Sequence, residues 1–561
     1  MLEEARTTRR TLIQLAAVLI APVVACSGDR PAGPDPLASC GDRATQITLA
    51  VGQYVSVDPA SDSGCVTFPA NAAADSAEYL VVPQSVAGAS GRTATFQLRG
   101  GAVGATAPLV ASVQAPPAWG ASVATTFDAF RRSLARRRSY TMPAARRPSL
   151  AATGVTGAVA TGPPALGALG SFTVCDTLNC SSFKNVGARV KAVGAHVAIY
   201  VDTLAPTPGL DSADLDTLKQ VFDSRLYPLD TTAFGGVSDI DANTVVIVLM
   251  TGVVNKLVPR SSQCASASFV AGFFFPGDLD PAFASRFNQG EIFYSIVADS
   301  TGTLSCPHTA TEVKRQTPST FTHEFQHMIN FVQHVLVRRG QSEEGWLDEG
   351  LSKYAEELAG RSYLPGDPAT FTRYAIDPVY DAYQYLSATG SYPLEIPEDT
   401  GKIGEIGASW LFTRYLVDQF GDSLPHRLVN SALSGSANVA AQTGQPFATS
   451  LTNWALANWV SDLPGFTAPP QLRYTSWHFR TTYQSLHSQD PGDFLLPFPL
   501  VPKASSGDAI TLSGVLQSGS GLYQRALQRG GAAGFGLLFA GAGGAPLPPA
   551  VAARLNIIRI R

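Results

Sequence analysis

The sequence predicts an α+β protein: a centre of mixed helices and strands, flanked by β-rich regions towards both ends. Three observations predict it. Gly supplies 51 and Pro 39 of the 561 residues, a share that suits strands and tight connections better than a helical bundle. Short runs alternating between apolar and polar residues, such as Gln46-Ile47-Thr48-Leu49 and Thr93-Ala94-Thr95-Phe96-Gln97-Leu98, recur between turn residues and return from Leu472 to the C-terminus, the signature of half-buried strands. From Ser171 to about Leu463, helical periodicity interleaves with strand-like runs.

A chain of this length exceeds one hydrophobic core, so several folded units are expected. A formal net charge of -4 with 15% charged residues excludes a general nucleic-acid or polyanion binder. Nothing in the sequence sets an oligomeric state.

In chain order, residues 1–25 read as a signal peptide. Arg9 and Arg10 precede an apolar stretch from Leu12 to Ala25 that is too short to span a bilayer comfortably. Val23-Val24-Ala25-Cys26 resembles the bacterial lipobox. That resemblance implies acylation of Cys26, export, and anchoring to the cell envelope, with the outer membrane as destination and the lipid as the only membrane contact. A cleaved leader and a secreted chain are the alternative. Residues 26–39 are rich in Gly, Pro, Asp and Ala and serve as a tether. Residues 40–115 form the first β-rich module. In 116–170, Val123, Phe127, Phe130 and Leu134 have helical spacing before an Arg- and Pro-rich run from Arg136 to Arg147, read as a solvated linker or a protease-sensitive joint. Residues 171–465 form the central domain and 466–561 the second β-rich module.

With Cys26 set aside, six cysteines remain, Cys40, Cys65, Cys175, Cys180, Cys264 and Cys306, an even number suited to an oxidising compartment. Fifteen pairings are open to six cysteines; the economical set, with each pair inside one segment, joins Cys40 to Cys65, Cys175 to Cys180 and Cys264 to Cys306.

The central domain carries the chemistry, since eleven of the fourteen glutamates lie between Glu291 and Glu405. A helix is predicted from an N-cap at Thr317, with Pro318 at its first position, to a stop at Gly340. Its apolar stripe is Phe321, Phe325, Met328, Ile329, Val332 and Leu336. His323 and His327, four residues apart, project from one face as two ligands of a single tetrahedral metal. Glu324 flanks the ion and is free to act as general base towards water. With eight histidines in the chain, chance yields this pattern in roughly three of every thousand such chains. His334, two turns beyond His327, is read as structural. A third ligand is sought where Trp346-Leu347-Asp348-Glu349-Gly350-Leu351 opens a second helix. Its apolar face is Leu347, Leu351, Tyr354, Ala355 and Leu358, which leaves Glu349 pointing away with Lys353 and Glu356. Asp348, Glu343 and Glu344 are its rivals. Asp239-x-Asp241-x-Asn243 reads as a turn before a strand, because the glycine and distal glutamate of a calcium loop are missing.

The pairing of His323-Glu324-Phe325-Gln326-His327-Met328 with Trp346-Leu347-Asp348-Glu349-Gly350-Leu351-Ser352 resembles the gluzincins, particularly the hyicolysin-type bacterial metallopeptidases. The likeness runs from about Phe234 to Gly421, and includes Ala271-Gly272-Phe273-Phe274 and Asn288-Gln289-Gly290-Glu291-Ile292-Phe293-Tyr294. It implies a zincin-like catalytic domain, in which a mixed sheet and an active-site helix precede a mostly helical subdomain. It also implies Zn²⁺ as cofactor, His323, His327 and Glu349 as ligands, Glu324 as base and a polypeptide as substrate. Glu291 to Ile296 becomes the edge strand beside the cleft, with an ordinary internal strand as the equal alternative. The oxyanion stabiliser of such a site is a Tyr or His after the third ligand, for which Tyr383, Tyr385, Tyr392 and His426 are the candidates. The interval from His327 to Glu349 is slightly longer than in the aminopeptidase branch, which counts against an exopeptidase. The alternative is a zincin scaffold with impaired turnover, serving as a surface binding or adhesion lipoprotein.

Overall fold

The structure, a computed structural model, describes residues 44–61, 64–102, 162–178, 180–257, 270–283, 286–396 and 402–561. The signal peptide and tether expected at 1–25 and 26–39, Cys26, Cys40, Cys264 and most of the linker expected at 116–170 lie outside the described residues.

The fold is α+β, with β-rich regions towards both ends. The N-terminal strands are β1 (Thr45–Gln46), β2 (Tyr54–Val57), β3 (Cys65–Phe68), β4 (Ala77–Ser85) and β5 (Thr93–Ala102). The C-terminal ones are β12 (Lys503–Ser506), β13 (Thr511–Gln517), β14 (Gln524–Gln528), β15 (Phe535–Gly541) and β16 (Ala553–Arg559). Read from sequence as two modules, they pair with each other: one sheet runs β1-β3-β15-β5-β13 and the other β12-β14-β4-β16-β2. β5 is antiparallel to both β13 and β15, and β4 to both β14 and β16. Phe68, Val81, Leu98, Leu516, Leu537, Phe539 and Ile557 fill the space between the sheets, with Phe68 stacked on Phe535 at 4.3 Å. The chain therefore leaves this sandwich after β5 and rejoins it at β12. Alternation reveals strands in a sequence but not the partner of each strand.

The centre holds β6 (Leu169–Cys175), β7 (Phe183–Val193), β8 (Val197–Asp202), β9 (Val246–Met250), β10 (Gly272–Phe274) and β11 (Ile292–Ser295), in the order β10-β11-β9-β8-β7-β6. β8, β9 and β11 are parallel, whereas β10 lies antiparallel on β11. The segment Glu291 to Ile296 is thus not the edge strand: β11 has neighbours on both sides and the edge belongs to β10. Three residues, Gly-Phe-Phe, are too few to show an alternation, which is why the edge was not legible.

The helices of the centre are α1 (Ser212–Val221), α2 (Tyr227–Phe234), α3 (Gly252–Lys256), α4 (Ala310–Phe331), α5 (Gly345–Arg361), α6 (Pro368–Ser387), α7 (Ile403–Phe420), α8 (Leu424–Val429), α9 (Gly435–Thr443), α10 (Phe447–Val460) and α11 (Phe479–Gln489). The helix that carries His323 and His327 starts earlier than the Pro318 signal suggests. Thr309 and Glu312 form a reciprocal capping box ahead of Ala310, two orphan N–H groups being satisfied at once. Pro318 sits inside the helix, where it forgoes its own amide bond, and Thr317 is buried with its hydroxyl donated to the Val313 carbonyl at 2.6 Å. Beyond Phe331 the turns widen into a π-helical stretch, Val332–Val337. α11 lies within the stretch expected to be β-rich from 466; its buried Phe479 and Tyr483 stand four residues apart, a helical spacing.

The sandwich seats on the centre through β4, every residue of which is buried. Gln84 donates to the Leu451 carbonyl at 3.3 Å and accepts from Asn556 at 2.8 Å, while Tyr523 donates to the Ala455 carbonyl at 2.7 Å. Cys175 and Cys180 form a disulfide. Cys65 and Cys306 are each disulfide-bonded too, to partners outside the described residues.

Candidate metal centre

His323 and His327 are held by the middle of α4, which packs its apolar stripe on the sheet: Phe321, Phe325, Met328 and Ile329 are fully buried. α5 runs alongside and brings Glu349 to the same point. It can approach α7 closely because residue 350 is glycine; a Cβ there would stand 2.6 Å from the Ser409 carbonyl oxygen and against Thr413.

The three side chains converge. His323 Nε2 and His327 Nε2 are 3.1 Å apart, and Glu349 places one oxygen 3.6 Å from the first and the other 3.7 Å from the second. Donors bound at ~2.0–2.1 Å to one tetrahedral ion lie about 3.3 Å from each other, so the spacing fits a shared ion. All three residues are buried. Among the described residues this His-His-Glu group could hold a metal ion.

The other ring nitrogens say what the group needs. His323 Nδ1 is 2.5 Å from Glu356 Oε1 and His327 Nδ1 is 3.0 Å from Asp348 Oδ2, and Asn330 donates to Asp348. His323 thus donates its Nδ1 hydrogen to Glu356, the Asp348 carboxylate faces Nδ1 of His327, and with the hydrogens on that side each imidazole turns a bare lone pair inward at Nε2. Two lone pairs and a carboxylate facing one another repel unless a cation lies between them. Burial pushes the Glu356 carboxyl up, yet the Lys353 ammonium and the bond to His323 outweigh it and hold it below the usual range. Asp348, Glu349 and Glu356 all come from α5, the last two positions being two turns apart on one face. The sequence placed Glu356 on that face and named Asp348 as a rival ligand; it did not show that they brace the histidines. The other rivals are engaged elsewhere. Glu343 accepts from the Gly435 amide and Asn438, and Glu344 from the Trp346 indole.

Glu324 is fully buried beside this group. Its Oε2 accepts the Phe274 backbone N–H at 2.9 Å, so the edge strand β10 holds the carboxylate in place. Gly272 makes that approach possible: a Cβ there would lie 2.5 Å from the Tyr294 carbonyl oxygen, 2.6 Å from Thr320 Cγ2 and 3.6 Å from Glu324 Cγ.

The four oxyanion candidates are scattered. Tyr383 accepts the Leu496 amide at 2.6 Å. Tyr385 is buried and stacked on Trp454, with centroids 5.4 Å apart. The Tyr392 ring lies against Gly404 and beneath Lys402, and His426 is exposed on α8. His334 is fully buried, 3.7 Å from Glu343. Asp239, Asp241 and Glu291 also converge, but Glu291 accepts from Ser238 and the Ile240 amide, and Asp241 from Asn243, the bonds of the expected turn.

No known family model matches the chain. It is similar to a protein described as neutral metalloprotease ShpI of Staphylococcus hyicus, with 31% identity over 193 residues. The match takes in 34% of this chain and 39% of that protein, so it spans well under half the length of the curated relative.

Proposed function

We propose that the protein is a zinc-dependent endopeptidase that hydrolyses polypeptides outside the cytoplasm. The observation that carries this reading is the convergence of two imidazole lone pairs and the Glu349 carboxylate, with Glu324 buried at their side. Likeness to a neutral metalloprotease over a third of the chain supports it. His323, His327 and Glu349 would hold the ion, and zinc there would supply Lewis-acid polarisation of water and of the scissile carbonyl. Glu324 takes a proton from the attacking water and passes it to the leaving amine. The Phe274 amide keeps that carboxylate oriented, and Glu356 and Asp348 keep both imidazoles turned towards the ion. The Cys175–Cys180 disulfide suits an exported chain, and no helix among the described residues is long and apolar enough to cross a membrane. Membrane attachment through an acylated Cys26 belongs to the same proposal.

A second reading, a scaffold that binds without turnover, is favoured by the scattered positions of Tyr383, Tyr385, Tyr392 and His426. A peptide-library digest with and without 1,10-phenanthroline separates the two. The endopeptidase yields internal cleavages that the chelator abolishes, whereas an intact library from metal-loaded protein refutes turnover.

A further inference from the structure

Lys353 stands one turn beyond Glu349 on α5. Its ammonium lies 3.3 Å from Glu356 Oε1, the same oxygen that takes the His323 Nδ1 hydrogen, and 3.5 Å from Asp381 Oδ2 on α6. All three side chains are largely withdrawn from solvent, at 15% exposure for Lys353, 5% for Glu356 and 14% for Asp381. Asp377, one turn before Asp381, lies within electrostatic reach of His323, Lys353 and Glu356, and Arg315 of α4 reaches the same region. The other Glu356 oxygen accepts from Ser319 at 3.2 Å.

We propose that Lys353 is a positioning residue for the metal centre, fastening the Glu356 carboxylate onto His323 and tying that ligand to α6. The inference rests on the metal-holding role of His323 given above. The physical basis is charge placement at close range. Two carboxylates from different helices, Glu356 and Asp381, share one ammonium, with Asp377 adding a third negative charge nearby. Without that ammonium the three acids face each other, and Glu356 is driven away from the oxygen position that orients the imidazole. An imidazole free to rotate no longer presents Nε2 to the ion, and loss of such outer partners typically weakens metal binding 10–100-fold. The contact with Asp381 also joins α5 to α6.

The test is zinc affinity of the full chain, measured by competition with a chelating dye, for wild type, K353M, K353R, E356Q and the K353M/E356Q double variant. Folding is checked in parallel by circular dichroism, with K353Q replacing K353M if the latter does not fold. K353M is expected to bind zinc 10–100-fold more weakly and K353R to recover most of that loss. The double variant should bind no more weakly than E356Q alone, because the carboxylate through which Lys353 acts is already neutral. K353M within twofold of wild type overturns the proposal, as do K353M and E356Q losses that multiply. A wild type that binds no zinc overturns the metal reading and this proposal with it, whereas zinc-binding wild type with an unaffected K353M overturns this proposal alone.

Discussion

Substituting alanine for Gly272 tests whether β10 positions the base. The added methyl would stand 2.5 Å from the Tyr294 carbonyl oxygen and 2.6 Å from Thr320 Cγ2, both closer than contact permits. One neighbour is the backbone of β11 and cannot yield, so β10 must shift by several tenths of an ångström, and the Thr320 methyl drives it away from α4. The Phe274 N–H to Glu324 bond of 2.9 Å lengthens as they part. Overpacking of this kind costs about 1–3 kcal/mol of stability, and a base displaced by up to ~1 Å costs up to ~10²-fold in rate. The proposed ligands lie on α4 and α5, so zinc content should hold. The assay pairs thermal unfolding and zinc content with hydrolysis of an internally quenched peptide. Expected are a Tm lower by several degrees, one zinc per chain, and kcat down ~10–100-fold. Wild-type kcat and Tm together would show that Gly272 does not set this contact.

Three further outcomes follow from the geometry. Asp348→Ala removes the carboxylate 3.0 Å from His327 Nδ1 and should weaken zinc binding ~10–100-fold; unchanged affinity in the dye competition contradicts a bracing role. Glu395 is fully buried at the seat of the sandwich. Burial first, then the Glu344 charge, pushes its carboxyl up to about 8, weakly opposed by the Ala89 amide. A carboxyl raised on folding contributes stability that is complete below its unfolded pKa and is lost as pH rises from about 4.5 to about 8. Glu395→Gln should therefore flatten the stability profile over that window, gaining up to ~4 kcal/mol at pH 8; urea unfolding curves for the two proteins with the same pH dependence exclude this account. Finally, truncation after 502 removes the partners of β4 and β5. Amide exchange should then show residues 44–102 unprotected, and retained protection there would mean that the N-terminal strands fold alone.

The candidate site was largely legible because its residues lie close together in sequence. A four-residue spacing on one helix picks out His323 and His327, and an acidic residue opposite the apolar face of the next makes Glu349 the leading third candidate ahead of Asp348, Glu343 and Glu344. The bracing carboxylates were half legible: Glu356 was on the correct face, but its distance to His323 depends on how α4 and α5 cross. The start of α4 was misplaced because Thr317-Pro318 is a good initiation signal, while Thr309-x-x-Glu312 is a better one eight residues earlier. β10 was missed for its brevity. Interleaving of the two terminal β regions escaped detection for another reason. Its pairings join Thr93 to Gln517 and Ala553 to Ser85, and no local pattern encodes a contact across more than four hundred residues.

The central claim, a metal group served by a separate base, is tested most directly by one paired measurement on wild type and Glu324→Gln: zinc per chain by elemental analysis, with casein hydrolysis on the same samples. One zinc in each protein, with hydrolysis confined to wild type, is the predicted result. Hydrolysis by the Glu324→Gln variant at the wild-type rate, or wild type without stoichiometric metal, would contradict the account.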